Sequence, residues 1–261
     1  MCKRYIQISG PSGIGKTTLS KDLPGYIGME DELHFISSSM SDLIPDTKDV
    51  SHLDMLSKDP KELYMDDVRL LNLRSKLYRS YIDKGEGYIT DRGYLDLATY
   101  FFLKQSKHLA DCEIEAFLNI CLNMLFKHCS RLIVLAYTPK NIDWSVEDNS
   151  KRITSKYFQM QVYHTMEFIL KLWGFRVFHS YEHVLYGYLV NPNNHHIEVL
   201  ITDHTDYDYR LKLCGKFIKT NGNEDDDLSS NNENTSPVSS YGYMPIYPSY
   251  NNTLAHKWIG I

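Results

Sequence analysis

No apolar run in this 261-residue chain approaches the roughly 18 residues a membrane helix needs, so no bilayer span is expected. The opening Met1-Cys2-Lys3-Arg4 is positive, but the apolar stretch behind it, Tyr5-Ile6-Gln7-Ile8, is too short for a signal-peptide core. A cytoplasmic protein is therefore expected. Cysteine is scarce. Cys2, Cys112, Cys121, Cys129 and Cys214 are odd in number and show no CxxC spacing, which argues against a disulfide framework or a zinc site. They read as buried thiols in a reducing compartment. His195-His196 sits in a turn-like Asn191-Pro-Asn-Asn-His-His context where metal ligation is not expected. A surplus of positive charge is also missing. The net charge of −5 is not that of a basic nucleic-acid binder, although a local basic groove stays open. No internal repeat occurs, and Asn221–Ser240 contains no Lys or Arg at all.

What is present is an alternation of short apolar runs with helical patterns, the signature of a parallel sheet covered by helices. Strands are expected at about Tyr5–Ser9, His34–Ser38, Gly87–Thr90, Arg131–Tyr137 and Glu198–Thr202, with Phe175–Phe178 as a further short one. Asp111 is placed to cap a helix whose apolar face is Ile114, Phe117, Leu118, Cys121 and Leu125. A later helix carries Phe158, Val162, Met166, Ile169 and Trp173 and stops at Gly174, where glycine suits the left-handed C′ position. Asp66–Asp83 has helical spacing at Leu70, Leu73, Leu77 and Tyr81. Its Arg69, Arg74 and Arg79 read as a solvated face, with the lining of an anionic channel as the alternative. Residues 1–220 are expected to form one domain. Residues 221–261 read as an acidic, Asn/Ser-rich linker followed by a Tyr-rich tail.

The strongest motif is Gly10-Pro11-Ser12-Gly13-Ile14-Gly15-Lys16-Thr17, a full GxxxxGK[ST] match between an expected strand and an expected helix. Such a loop turns successive backbone N–H groups toward phosphate oxygens, and glycine is needed where a side chain would collide or φ is positive. The expected phosphate-binding set is Gly10, Ser12, Gly13, Ile14, Gly15, Lys16, Thr17 and Thr18. Lys16 would reach the β- and γ-phosphates of ATP, and the Thr17 hydroxyl would ligate Mg²⁺.

Asp91-Arg92 leaves the expected strand Gly87–Thr90 at its carboxyl end, the edge where ligands sit in open α/β sheets. Asp91 suits Mg²⁺ or a proton from an attacking hydroxyl, and Arg92 suits the transferring phosphoryl group. A capping aspartate beside a surface arginine would give the same pair.

In Gly10–Thr17, Asp91-Arg92 and the segment after Tyr137, the chain resembles the P-loop nucleoside and nucleotide kinases, the group of the deoxynucleoside, thymidylate and ribosylnicotinamide kinases. The resemblance covers roughly residues 4–178. Asp91-Arg92 matches the Asp-Arg or Glu-Arg pair that follows the third strand in that group. The stretch Tyr137 to Asp143-Trp144, then Asp148 to Lys151-Arg152, is similar to the post-strand segment of ribosylnicotinamide-kinase-like ATPases. It departs from that segment at Ser145 and Asn149. The resemblance implies an α/β three-layer fold, a parallel sheet in the order 2-3-1-4-5, and a helical lid at about residues 139–156. In that lid Arg152 would meet the transferred phosphoryl group.

On the acceptor side the resembled kinases often carry a carboxylate base, and here Ser37-Ser38-Ser39 stands instead. Asp42 is the nearest replacement, with Glu30, Asp31 and Glu32 behind it. A turn or cap aspartate is the plainer reading of Asp42. The implied reaction is transfer of the ATP γ-phosphoryl group to a nucleoside- or nucleotide-type acceptor. Three other readings stay open: a kinase for a hydroxymethylated base of the 5-hydroxymethyluracil type in viral DNA, an acceptor-independent ATPase, and a non-catalytic interaction protein. A homodimer is an open option; a membrane partner is not expected.

Overall fold

The structure, a computed structural model, describes residues 4–47, 58–137, 155–181 and 183–220. In chain order the elements are β1 (Tyr5–Ser9), α1 (Lys16–Ile27), β2 (Leu33–Ile36), α2 (Met40–Leu43), α3 (Pro60–Lys84), β3 (Gly87–Thr90), α4 (Tyr94–Gln105), α5 (Asp111–His128), β4 (Arg131–Leu135), α6 (Lys156–Leu172), β5 (Arg176–Tyr181), β6 (Val184–Val190), β7 (His196–Thr202) and α7 (Tyr207–Lys219). The expected lid, Lys151 and Arg152 lie outside the described residues apart from Ser155 and Lys156, which cap and open α6. The tail 221–261 and Cys2 also lie outside them.

The strands form one seven-stranded sheet in the order β2-β3-β1-β4-β7-β6-β5. The first four positions match the expected 2-3-1-4, and every pair from β2 to β7 is parallel. Beyond β4 the expectation needs correcting. β7 fills the fifth position, and β6 pairs antiparallel with both β7 and β5, so the sheet is mixed. The additional strand β6 escaped sequence reading because Gly187 interrupts its alternation. An added Cβ there would lie 2.3 Å from the Phe175 ring and from the Arg176 carbonyl, so the strand needs a glycine where it passes β5.

Strand alternation divides the core. In β4, Leu132 and Val134 join the cluster formed with α3, α4, α5 and α6, whereas Ile133 and Leu135 join the cluster formed with α1 and α7. Both faces are covered, which is why Arg131–Leu135 reads as an unbroken apolar run after its first residue. Each fully buried Leu or Ile here contributes about 1.5–3 kcal/mol.

Local signals explain the helix ends. α3 starts at Pro60 behind Asp59, whose Oδ1 accepts from the Lys61 N–H at 2.8 Å, and it stops at Gly85 with φ 74°. α6 ends before Gly174 at φ 81°, as its sequence predicts. At α5, Ala110 and not Asp111 holds the cap position; the first turn is closed by Glu113 Oε2, which accepts from the Ala110 N–H at 3.1 Å. α3 and α4 are joined by a buried ion pair, Lys104 Nζ to Asp67 Oδ1 at 2.5 Å. Burial still pushes the Asp67 carboxyl up, against the pull of Lys104. Among the described cysteines Cys121, Cys129 and Cys214 are buried, as expected, but Cys112 is exposed on α5. Among the described residues no helix is long and apolar enough to cross a membrane.

Candidate functional site

Residues 10–15 form the turn between β1 and α1, at the carboxyl edge of the sheet. Two glycines there are required by geometry. At Gly10 an added Cβ would lie 2.6 Å from the Leu135 carbonyl oxygen at the end of β4. Gly15 caps α1 in the left-handed region at φ 88°, ψ 17°, which an L side chain rarely adopts. Ile14 points into the core beneath α1 and is 2% exposed, while Gly13, Thr17 and Thr18 are open to solvent. Lys16 Nζ donates to Gly10 O at 2.7 Å and to Pro11 O at 2.6 Å, so the first residue of α1 ties down the first turn of the loop.

β3 delivers Asp91 to the same edge. Thr17 Oγ1 donates to Asp91 Oδ2 at 2.6 Å across 74 positions of sequence. Asp91 is 5% exposed, and its second oxygen, Oδ1, is buried without a hydrogen-bond partner. A buried carboxylate oxygen left unpaired costs about 1–3 kcal/mol or more, so this atom calls for a partner. One hydroxyl oxygen beside a carboxylate with a spare oxygen is a hard donor set, and it fits Mg²⁺. Among the described residues no group of three or more His, Cys, Asp or Glu side chains could hold a metal ion of any kind, so Asp91 is a lone carboxylate beside Thr17.

Arg92 is half-buried next to Asp91. Burial pushes the Tyr100 phenol up, and the Arg92 charge opposes that shift. Tyr100 OH lies 3.4 Å from Ser12 Oγ. Tyr100 thus flanks Ser12, while Asp91 flanks Thr17.

Several residues that sequence reading passed over hold this arrangement together. Asp96 on α4 accepts from Gly93 N at 3.0 Å and from Gly10 N at 3.4 Å, linking the turn after β3 to the start of the loop. Gln7, buried in mid-β1, accepts from Tyr94 N at 3.1 Å, and an added Cβ at Gly93 would collide with it at 2.1 Å. A glutamine between Ile6 and Ile8 in a buried strand was the available clue. Arg74 is 2% exposed, which overturns the solvated-face reading of α3 at that position. Its Nε donates to Ser38 O at 3.0 Å and its Nη1 to Gly93 O at 2.7 Å, bolting the ends of β2 and β3 together. Arg69 is exposed, with Asp46 at 3.8 Å, and Arg79 is exposed as well. From α7, Arg210 reaches under the loop: Nη1 donates to Ile14 O at 2.8 Å, while Nε and Nη2 donate to His204 O at 3.1 and 2.5 Å. Its burial pulls the guanidinium below its usual range. Gln159 on α6 accepts from the Ser12 N–H at 2.8 Å. No motif marks Gln159 or Arg210, because 147 and 196 positions separate them from their loop partners.

Past β2 the picture differs. Ser39 caps the four-residue helix α2, accepting from Asp42 N at 3.3 Å. Asp42 Oδ2 accepts from the hydroxyls of Ser37 and, at 2.5 Å, Ser39. Asp42 is exposed, and the turn reading accounts for these bonds. Glu30, Asp31 and Glu32 fall before β2, at the opposite end of that strand from Ser37.

Similarity to solved structures agrees with this architecture. A deoxyadenosine kinase from M. mycoides with bound dATP superposes with a TM-score of 0.54 at 13% identity, covering 82% of this chain and 99% of that one. The chain shares its overall fold with this deoxyadenosine kinase. A second structure of the M. mycoides enzyme, with products dCMP and a flexible dCDP bound, gives 0.53 at 12% identity over 81% and 97% of the two chains. NadR protein in complex with NAD and AMP-PNP gives 0.50 at 10% identity, with 84% of this chain spanning half of that one. No protein-family model and no curated protein matches the sequence.

Proposed function

We propose that this protein is a kinase that passes the γ-phosphoryl group of ATP to a hydroxyl or phosphate of a nucleoside- or nucleotide-type acceptor. The observation that carries this reading is the meeting of Thr17 and Asp91 beside the Lys16 loop, with a spare buried oxygen on Asp91. The fold supports it, since the solved structures it resembles include a deoxyadenosine kinase and a protein bound to AMP-PNP.

The backbone from Gly10 to Thr18 would hold the triphosphate, with the N-terminal end of α1 adding its positive dipole end. Lys16 and Arg92 would stabilise negative charge as it shifts to the transferring group, and Arg152 is the proposed third cation. Thr17 and Asp91 would hold Mg²⁺, which when bound supplies positive charge against the phosphate oxygens. Asp91 or Asp42 would orient or deprotonate the acceptor hydroxyl. In phosphoryl transfer, positioning and electrostatics carry most of the rate enhancement, so the placement of Lys16 and Asp91 would matter more than nucleophile strength.

The test is a radiolabelled γ-phosphate transfer screen over nucleosides, nucleotides, nicotinamide riboside and hydroxymethyluracil-containing DNA, with Lys16→Ala run beside the wild type. Label on a nucleoside or nucleotide, absent with Lys16→Ala, is the expected outcome. Label on DNA alone would move the acceptor to the polymer. ATP hydrolysis indifferent to every acceptor would replace the kinase with an ATPase.

A further inference from the structure

Gln159 occupies a backbone N–H of the phosphate-type loop. It lies in the first turn of α6, is 3% exposed, and its Oε1 accepts the Ser12 N–H at 2.8 Å. Ser12 lies near the start of the loop, its hydroxyl 3.4 Å from the Tyr100 OH, whereas Thr17, five residues on, is the residue that meets Asp91. If Thr17 and the start of α1 take the inner phosphates, the Ser12 end is left for the terminal one. An amide N–H has one hydrogen to give, so a phosphoryl oxygen that takes it must displace the Gln159 carbonyl. The exchange is favourable, because a bond to a charged oxygen is roughly twice as strong as a neutral one, but it forfeits the bond already made.

Resting on the kinase reading, we propose that Gln159 is a specificity-determining residue that competes with the terminal phosphoryl group for the Ser12 amide. It weakens triphosphate binding relative to diphosphate binding and couples the start of α6 to the γ-position. A diphosphate, which stops short of Ser12, leaves the Gln159 bond in place.

The test is calorimetric titration of the full chain with Mg²⁺–AMP-PNP and with Mg²⁺–ADP, using wild type, Gln159→Ala and Gln159→Glu. Circular dichroism melts check that each variant folds. Removing the competitor should tighten AMP-PNP binding about fivefold, the worth of one neutral hydrogen bond, while ADP affinity changes less than twofold. Gln159→Glu, which sets a carboxylate against the terminal phosphate, should weaken AMP-PNP more than tenfold and ADP by much less. Opposite responses from the two variants, confined to the triphosphate analogue, are not what a merely structural glutamine would give. An unchanged AMP-PNP to ADP ratio in Gln159→Ala would overturn the proposal while leaving the kinase reading standing. Weaker AMP-PNP binding in Gln159→Ala would overturn it too, by making Gln159 a plain phosphate ligand. A wild type that binds neither nucleotide would remove the kinase reading, and this inference with it.

Discussion

At the phosphate-loop end of the sheet edge, the side chains that meet come from distant parts of the chain. Thr17 meets Asp91, Ser12 meets Gln159, and Ile14 meets Arg210. Past β2, Asp42 accepts from Ser39 and Ser37, three and five positions away, on the exposed side of a four-residue helix. The first region is fixed by β1, β3, α4, α6 and α7 together, so it keeps its geometry only if the whole fold is present. In the second, these Asp42 bonds are local, while Ser38 beside them is buried and tied to Arg74 on α3.

The comparison breaks most readily at Lys16. Lys16→Ala should lower transfer by more than about 10³-fold with an unchanged circular dichroism spectrum; retained turnover in purified protein would remove the loop from the chemistry. Next, Asp91→Asn should cost about 10²–10³-fold in kcat and raise the Mg²⁺ concentration needed for half-maximal rate. A loss in kcat with no change in the Mg²⁺ titration would leave Asp91 only an acceptor-side role.

Arg210→Ala asks whether the loop is braced from outside. It leaves the Ile14 and His204 carbonyls without their donor, and should lower unfolding stability by about 2–3 kcal/mol in urea titrations. An unchanged stability would mean that the loop holds its own shape.

His128 probes the polar layer behind the site. Its Nδ1 lies 2.8 Å from Tyr94 OH, and its carbonyl accepts from Tyr88 OH and, at 3.3 Å, from Gln7 Nε2. Burial lowers its pKa to about 4, with Lys127 and Arg79 adding to the shift. In the unfolded chain it titrates near its usual 6.5, so between that pH and about 4 the unfolded chain takes up a proton that the fold refuses. Stability should therefore be insensitive to His128 above pH 6.5 and fall below it, by about 2 kcal/mol between pH 7 and pH 5. His128→Gln should flatten that part of the profile in urea titrations at the two pH values.

The smallest effect is expected at Asp42. As a turn residue, Asp42→Asn should change kcat less than about tenfold. A loss of 10³-fold or more would make it the catalytic base and erase the contrast between the two regions.

Reading the sequence located β1, β3 and the loop between β1 and α1 to the residue, because glycine spacing and short apolar runs are local signals. It placed Asp91 and Arg92 at the sheet edge because residues leaving a parallel strand there have one place to go. It misread Arg74 because an arginine at helical spacing looks solvated until β2 and β3 are seen to end against it. It also missed β6, whose glycine is explained only by the neighbouring strand.

What the chain determined alone is the loop, the alternation that buries both faces of β4, and the left-handed stops at Gly85 and Gly174. These depend on backbone sterics and side-chain period, which act over a few residues. Tertiary structure alone decided that β7 takes the place beside β4, that Asp91 keeps a spare oxygen, and that Gln159 and Arg210 reach the loop. Those outcomes depend on which surfaces pack together, and no stretch of neighbouring residues carries that information.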